Sequence, residues 1–87
     1  MAKKIRLRMD ALRAAKCLFD FWPSSSKPER VHELSGDLEG VFSIDLKQPY
    51  RVLFRPKELP TERPVKLEDL WKKIDSVVIL RIEDTHG

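Results

Sequence analysis

Residues 41–55 read Val41-Phe42-Ser43-Ile44-Asp45-Leu46, then Lys47-Gln48-Pro49, then Tyr50-Arg51-Val52-Leu53-Phe54-Arg55. In the first run Phe42, Ile44 and Leu46 alternate with Val41, Ser43 and Asp45. In the second, Tyr50, Val52 and Phe54 alternate with Arg51, Leu53 and Arg55. A repeat of two residues marks a half-buried strand, and a link this short predicts a hairpin. The hairpin sets the fold class, because its apolar face has to be covered by whatever else the chain can build.

Upstream of it, residues 30–34 predict a short strand. Residues 35–40, Ser35-Gly36-Asp37-Leu38-Glu39-Gly40, predict a turn in which two glycines are free to take positive φ. Further upstream, residues 2–21 hold no Gly or Pro and are rich in Ala, Leu, Lys and Arg, all strong helix formers. Ala11, Leu12, Ala15, Leu18, Phe19 and Trp22 recur at three- and four-residue spacing, with Ile5 and Met9 extending the stripe. A helix over 2–21, closed by Pro23 and followed by the loop Ser24-Ser25-Ser26-Lys27-Pro28, follows from this pattern.

Downstream, Pro56, Pro60 and Pro64 among charged residues predict an extended loop over 56–66. Residues 66–73 predict a short helical turn anchoring Leu67, Leu70 and Trp71, and residues 76–83 a last strand. Val77-Val78-Ile79-Leu80 is apolar on both faces, which predicts a central position in the sheet. The whole chain, 1–87, reads as one α+β domain with an N-terminal helix packed on a mostly antiparallel four-stranded sheet.

Composition narrows the function classes. A single cysteine, Cys17, excludes an internal disulfide and fits the reducing cytosol. No apolar run approaches the length of a membrane span, and the basic start is not followed by the apolar stretch of a signal peptide. A cytoplasmic protein is the expectation. Residues 1–22 hold six cations and two acids, whereas the other 65 residues hold 11 cations and 12 acids. This asymmetry permits contact with nucleic acid and equally describes a solvated helix face. The sequence has no Cys/His/carboxylate cluster at metal spacing, no Gly-rich phosphate loop and no Gly-x-Ser-x-Gly elbow, so neither metal nor nucleotide cofactor is expected.

Three stretches taken together resemble a known family. They are His32-Glu33-Leu34-Ser35-Gly36-Asp37-Leu38-Glu39-Gly40 running into Phe42-Ser43-Ile44-Asp45-Leu46, Pro49-Tyr50-Arg51-Val52-Leu53-Phe54-Arg55-Pro56, and Ile82-Glu83-Asp84-Thr85-His86. In order and spacing they are similar to the HigB branch of the RelE/ParE toxin superfamily, over roughly residues 30–86. The resemblance implies a compact RelE-like domain and ribosome-dependent cleavage of messenger RNA. It also implies a partner antitoxin of the helix-turn-helix HigA type, and it places His32, Asp84 and His86 in the active site. Thr85 stands where the family has Tyr, and Ser35 where it often has Lys. Family members open with a strand and a first helix, so the resemblance also predicts that these are missing here. The sheet edge left exposed would then invite dimerisation or strand exchange.

The residue types suit that chemistry. Cleaving RNA without metal requires a base for the 2′-hydroxyl, an acid for the leaving 5′-oxygen and cations beside the phosphoryl oxygens. His32 and His86 are the only histidines, and imidazole titrates near neutrality. Asp84 lies two residues before His86, on the same strand face if the strand extends that far. Arg51 and Arg55 share a strand face and are suited to grip phosphate, with Thr85 and Ser35 as further substrate contacts. Plainer roles exist for each: Arg51 and Arg55 as cross-strand partners of Asp45 and Glu83, and His32 as a structural residue. A catalytically degenerate toxin-like module that acts only by binding its antitoxin is the alternative reading. Gyrase poisoning, known on this fold, has no use for paired histidines.

Overall fold

The computed structural model describes residues 2–84. It is an α+β arrangement of helix α1 (Ala2–Ala14), a 3-10 helix (Leu18–Phe21), strand β1 (His32–Glu33), a 3-10 turn (Gly36–Leu38), strands β2 (Phe42–Asp45) and β3 (Tyr50–Pro56), helix α2 (Leu67–Lys73) and strand β4 (Val77–Asp84). The strands form one sheet in the order β1-β2-β3-β4, with every neighbouring pair antiparallel.

The predicted hairpin is present. Phe42 pairs with Phe54, Ile44 with Val52 and Asp45 with Arg51. Phe42, Ile44, Leu46, Val52 and Phe54 are buried together with Leu70, Trp71 and Ile74 from α2 and the residue after it. Aromatic rings join the layers. Phe42 stacks on Phe54 with centroids 5.8 Å apart, Trp71 meets Phe42 edge-on at 5.8 Å, and Trp22 meets Trp71 edge-on at 5.2 Å. Such pairs add about 0.5–1.5 kcal/mol each beyond the area they bury. The turn before β2 uses its glycines as anticipated, Gly36 at φ +68° and Gly40 at φ +87°. Gly40 N–H donates to Glu33 Oε2 at 3.0 Å and closes the turn.

Two expectations are corrected. The helix predicted over 2–21 ends at Ala14. The Asp20 carboxylate accepts the Lys16 N–H at 2.9 Å, and Cys17 is extended at φ −160°, ψ 170°. A side-chain acceptor thus takes a donor the helix would have used. Leu18 N–H instead donates to the Ile74 carbonyl at 2.8 Å, tying the 3-10 helix to the end of α2. Ile5, Met9, Ala11, Leu12, Ala15 and Phe19 still pack against the core, so the stripe works through two short helices. The second correction concerns β4. Among the described residues it is not central: it pairs with β3 alone, at the border of the sheet. Ile79, Leu80 and Ile82 are 44%, 39% and 47% exposed, because the helical layer is centred on β2 and β3.

Arg8 is the buried charged residue of α1, 8% exposed. Its Nε donates to the Asp45 carbonyl at 2.7 Å and an Nη to the Pro28 carbonyl at 3.4 Å. The helix is thereby pinned to the end of β2. Among the described residues, no helix is long and apolar enough to cross a membrane.

Candidate functional site

Side chains alternate across a strand, so the pairing fixes which residues share a face. His32, Ser43, Leu53 and Arg81 form one row across the sheet, and Asp45, Arg51 and Glu83 a second row on the same face. Arg55 belongs to this face through its alternation with Leu53 and Arg51. It is the face opposite the aromatic core, although Ser43 and Leu53 in its floor are fully buried.

His32 sits in β1 with its ring against two polar groups. Nδ1 lies 3.0 Å from the Arg30 carbonyl. A carbonyl only accepts, so the proton belongs on Nδ1 and the free lone pair on Nε2. Ser43 Oγ lies 3.3 Å from Nε2 and 3.5 Å from Nδ1, beside the ring rather than aimed at one nitrogen. Arg30 itself has φ +51°, a left-handed conformation that costs a residue with a Cβ about 1–2 kcal/mol. Its N–H donates to the Ser26 carbonyl at 2.7 Å, and its Nε lies 3.3 Å from Asp45 Oδ2, which together hold the turn.

Arg51 donates from an Nη to Glu83 Oε1 at 3.0 Å, and Glu83 Oε2 accepts from Arg81 at 3.2 Å. The Arg51 hydrogen bond, helped by the charges of both arginines, holds the Glu83 carboxyl below the usual glutamate range. Arg51 Nε is buried with no hydrogen-bond partner. The three side chains carry a net single positive charge on the His32 face. Arg55 is exposed, donates to the Pro56 carbonyl at 3.2 Å and pairs with no acid among the described residues.

The site residues expected from the sequence therefore divide. His32, Arg51 and Arg55 come together on one face. Asp84 is in register with Tyr50, one residue out of phase with Arg51, and lies on the opposite face. Ser35 is exposed ahead of the 3-10 turn and makes no capping bond with its side chain. His86 and Thr85 lie outside the described residues. Of the plainer roles, Arg51 does pair with Glu83, whereas Asp45 pairs with Arg30.

Two features were not anticipated. The first is the apposition of Ser43 and His32, although residues 30–34 and 41–46 folded about the middle of the turn 35–40 place 32 opposite 43. The second is the clamp of Arg63 on Glu33, at 2.7 and 3.3 Å, which fastens the proline-containing loop to β1. The Glu33 bond raises the Arg63 pKa above its ordinary value. Nothing local in the sequence announces that contact, since 30 residues separate the partners. Among the described residues, no three His, Cys, Asp or Glu side chains group as metal ligands.

Comparison of the chain with protein-family models, with curated proteins and with solved structures finds no match. The class established by the fold is an α+β protein with two α-helices beside a four-stranded antiparallel sheet.

Proposed function

We propose that the chain is a toxin domain of the RelE/ParE type, on the HigB branch, that cleaves messenger RNA on the ribosome and is neutralised by a helix-turn-helix antitoxin of the HigA type in the cytoplasm. The observation that carries the reading is the His32 face. One imidazole, its Nδ1 proton tied to the Arg30 carbonyl, leaves Nε2 as its basic nitrogen on a sheet surface with Arg51, Arg55 and Arg81. The motif order over residues 30–86 supports the same reading.

In the proposed reaction a base takes the 2′-hydroxyl proton, the 2′-oxygen attacks phosphorus, and the 5′-oxygen leaves with a proton from an acid. His32 Nε2 takes one proton-transfer role, and the resemblance gives the other to His86, a role that requires the chain after Asp84 to leave the strand phase that puts Asp84 on the opposite face. Arg51 and Arg55 offset charge on the phosphoryl oxygens. Asp84, on the opposite face, has no part in the proton transfer.

Two observations favour the second reading, a non-catalytic module that works only by binding its antitoxin: Arg51 is already paired with Glu83, and Asp84 faces away from His32. Incubating the purified chain with translating ribosomes and mapping new messenger 5′ ends separates the two. The endonuclease reading predicts cleavage that falls about 10²–10⁴-fold in His32→Ala. It also predicts a smaller loss in Arg55→Ala that Arg55→Lys only partly restores, since a point charge cannot reproduce the planar fork. Intact messenger with the unaltered chain, or full cleavage by His32→Ala, would overturn it.

A further inference from the structure

Strand β4 has an open edge among the described residues: its partner on one side is β3, and no strand pairs with the other. Its backbone donors and acceptors on that side form a template for another strand. The edge is also apolar. Ile79, Leu80 and Ile82 are each about two-fifths exposed or more, and a groove of about 320 Å³, lined by Met9, Leu12, Leu18, Ile74, Val77 and Ile79, opens beside the start of the strand. Of the devices that normally protect an edge, β4 has one register irregularity and the charges of Arg81, Glu83 and Asp84. β4 has no proline, and its register irregularity lies opposite the step from Leu53 to Phe54, which leaves residues 81–84 as regular ladder.

We propose that this edge pairs with the same edge of a second copy, antiparallel, about a two-fold axis through Ile82. The register follows from geometry and charge. A two-fold axis normal to the sheet maps each residue onto the same face in the copy, and paired residues share a face. Only residues an even number apart can then be opposed, and the axis must pass through a residue. Through Arg81 it opposes arginine to arginine, and through Glu83 glutamate to glutamate; like charges directly opposed destabilise a sheet. Through Ile82 it sets Ile82 on its own copy and Arg81 against Glu83 of the other chain, twice. Each strand already presents both signs on one face, with Arg81 and Glu83 in contact at 3.2 Å, so both charge pairs can form across the axis. Ile82 lies in register with Val52, on the core face. Its copy would extend that core where the helical layer stops. A single edge contact buries less than a standard interface, so the association is expected to be weak and concentration-dependent. The proposal is independent of the ribonuclease reading.

The test is sedimentation equilibrium on the full chain and on two charge variants, with circular dichroism to establish that each folds. The unaltered chain should show a monomer–dimer equilibrium. Arg81→Glu opposes two glutamates to glutamates and Glu83→Arg two arginines to arginines, so each variant alone should dimerise at least about tenfold more weakly. Mixed, the two should regain a heterodimer, because every opposed pair is again of opposite charge. Since Glu83→Arg also removes the partner of Arg51, Ile82→Lys serves as a second disruptor with both charges in place, and it too should be monomeric. A strictly monomeric chain at high concentration, open-ended aggregation, or no recovery on mixing folded variants would overturn the proposal.

Discussion

Strands β2 and β4 lie on either side of β3, and the less apolar of the two is the better buried. β2 carries Phe42, Ser43, Ile44 and Asp45, of which the first three are almost wholly inaccessible. β4 carries the longest apolar run in the chain, Val77 to Leu80, yet its second half is exposed and none of it is fully buried. The difference lies in what covers them. β2 has a strand on each side, Trp71 over its core face, and Arg8 pinning α1 to its end. β4 has a neighbour on one side, and the helices reach only its first residues. A hydrophobic run specifies a strand; its depth in the molecule depends on elements far away in sequence.

The largest expected effect sharpens this contrast. Phe54→Ala, in the strand between the two and fully buried, should destabilise the domain by about 3–5 kcal/mol, read as a lower midpoint in urea unfolding. Next comes the anchor of α1. Arg8→Ala leaves the Asp45 carbonyl without that donor and should cost about 1–3 kcal/mol in the same assay. Ile82→Ala, measured at concentrations too low for association, should cost under about 1 kcal/mol; a loss as large as that of Phe54→Ala would mean that β4 is covered after all.

The smallest effect is a dependence on pH. Glu83 titrates below the ordinary glutamate value of 4.5 in the folded chain. A depressed carboxyl contributes stability that is complete above its unfolded pKa and is lost as pH falls through the folded one. Unfolding of the unaltered chain and of Glu83→Gln, compared from pH 6 downward, should differ by a constant amount until pH nears 4.5. Below that the difference should shrink. A difference that shrinks near neutrality instead would assign the titration to another group.

The contrast also explains what could be read in advance. The hairpin was legible because both of its strands keep strict alternation with one face in the core, and the turn because Gly36 and Gly40 are needed at positive φ. Helix α2 announced itself through Leu70 and Trp71. The end of α1 was hidden because composition favours helix through residue 21, whereas Lys16 N–H goes to Asp20 and Leu18 N–H to the distant Ile74 carbonyl instead of to the helix. The place of β4 was hidden because an apolar run looks the same at the border of a sheet as in its middle. Of the site, the shared face of Arg51 and Arg55 followed from spacing. The Arg51–Glu83 pair and the phase that puts Asp84 on the face opposite His32 required the register of β4 on β3, which no short stretch of sequence encodes.

His32 is the point on which the functional account rests, and induced expression in bacterial cells tests it most directly. Growth and the 5′ ends of cellular messengers would be followed for the unaltered chain and for His32→Ala, with equal protein levels shown by blotting. The account predicts growth arrest with new messenger ends for the first, and neither for the second. Arrest that persists in His32→Ala without messenger cleavage would contradict the endonuclease reading and leave the binding module in its place.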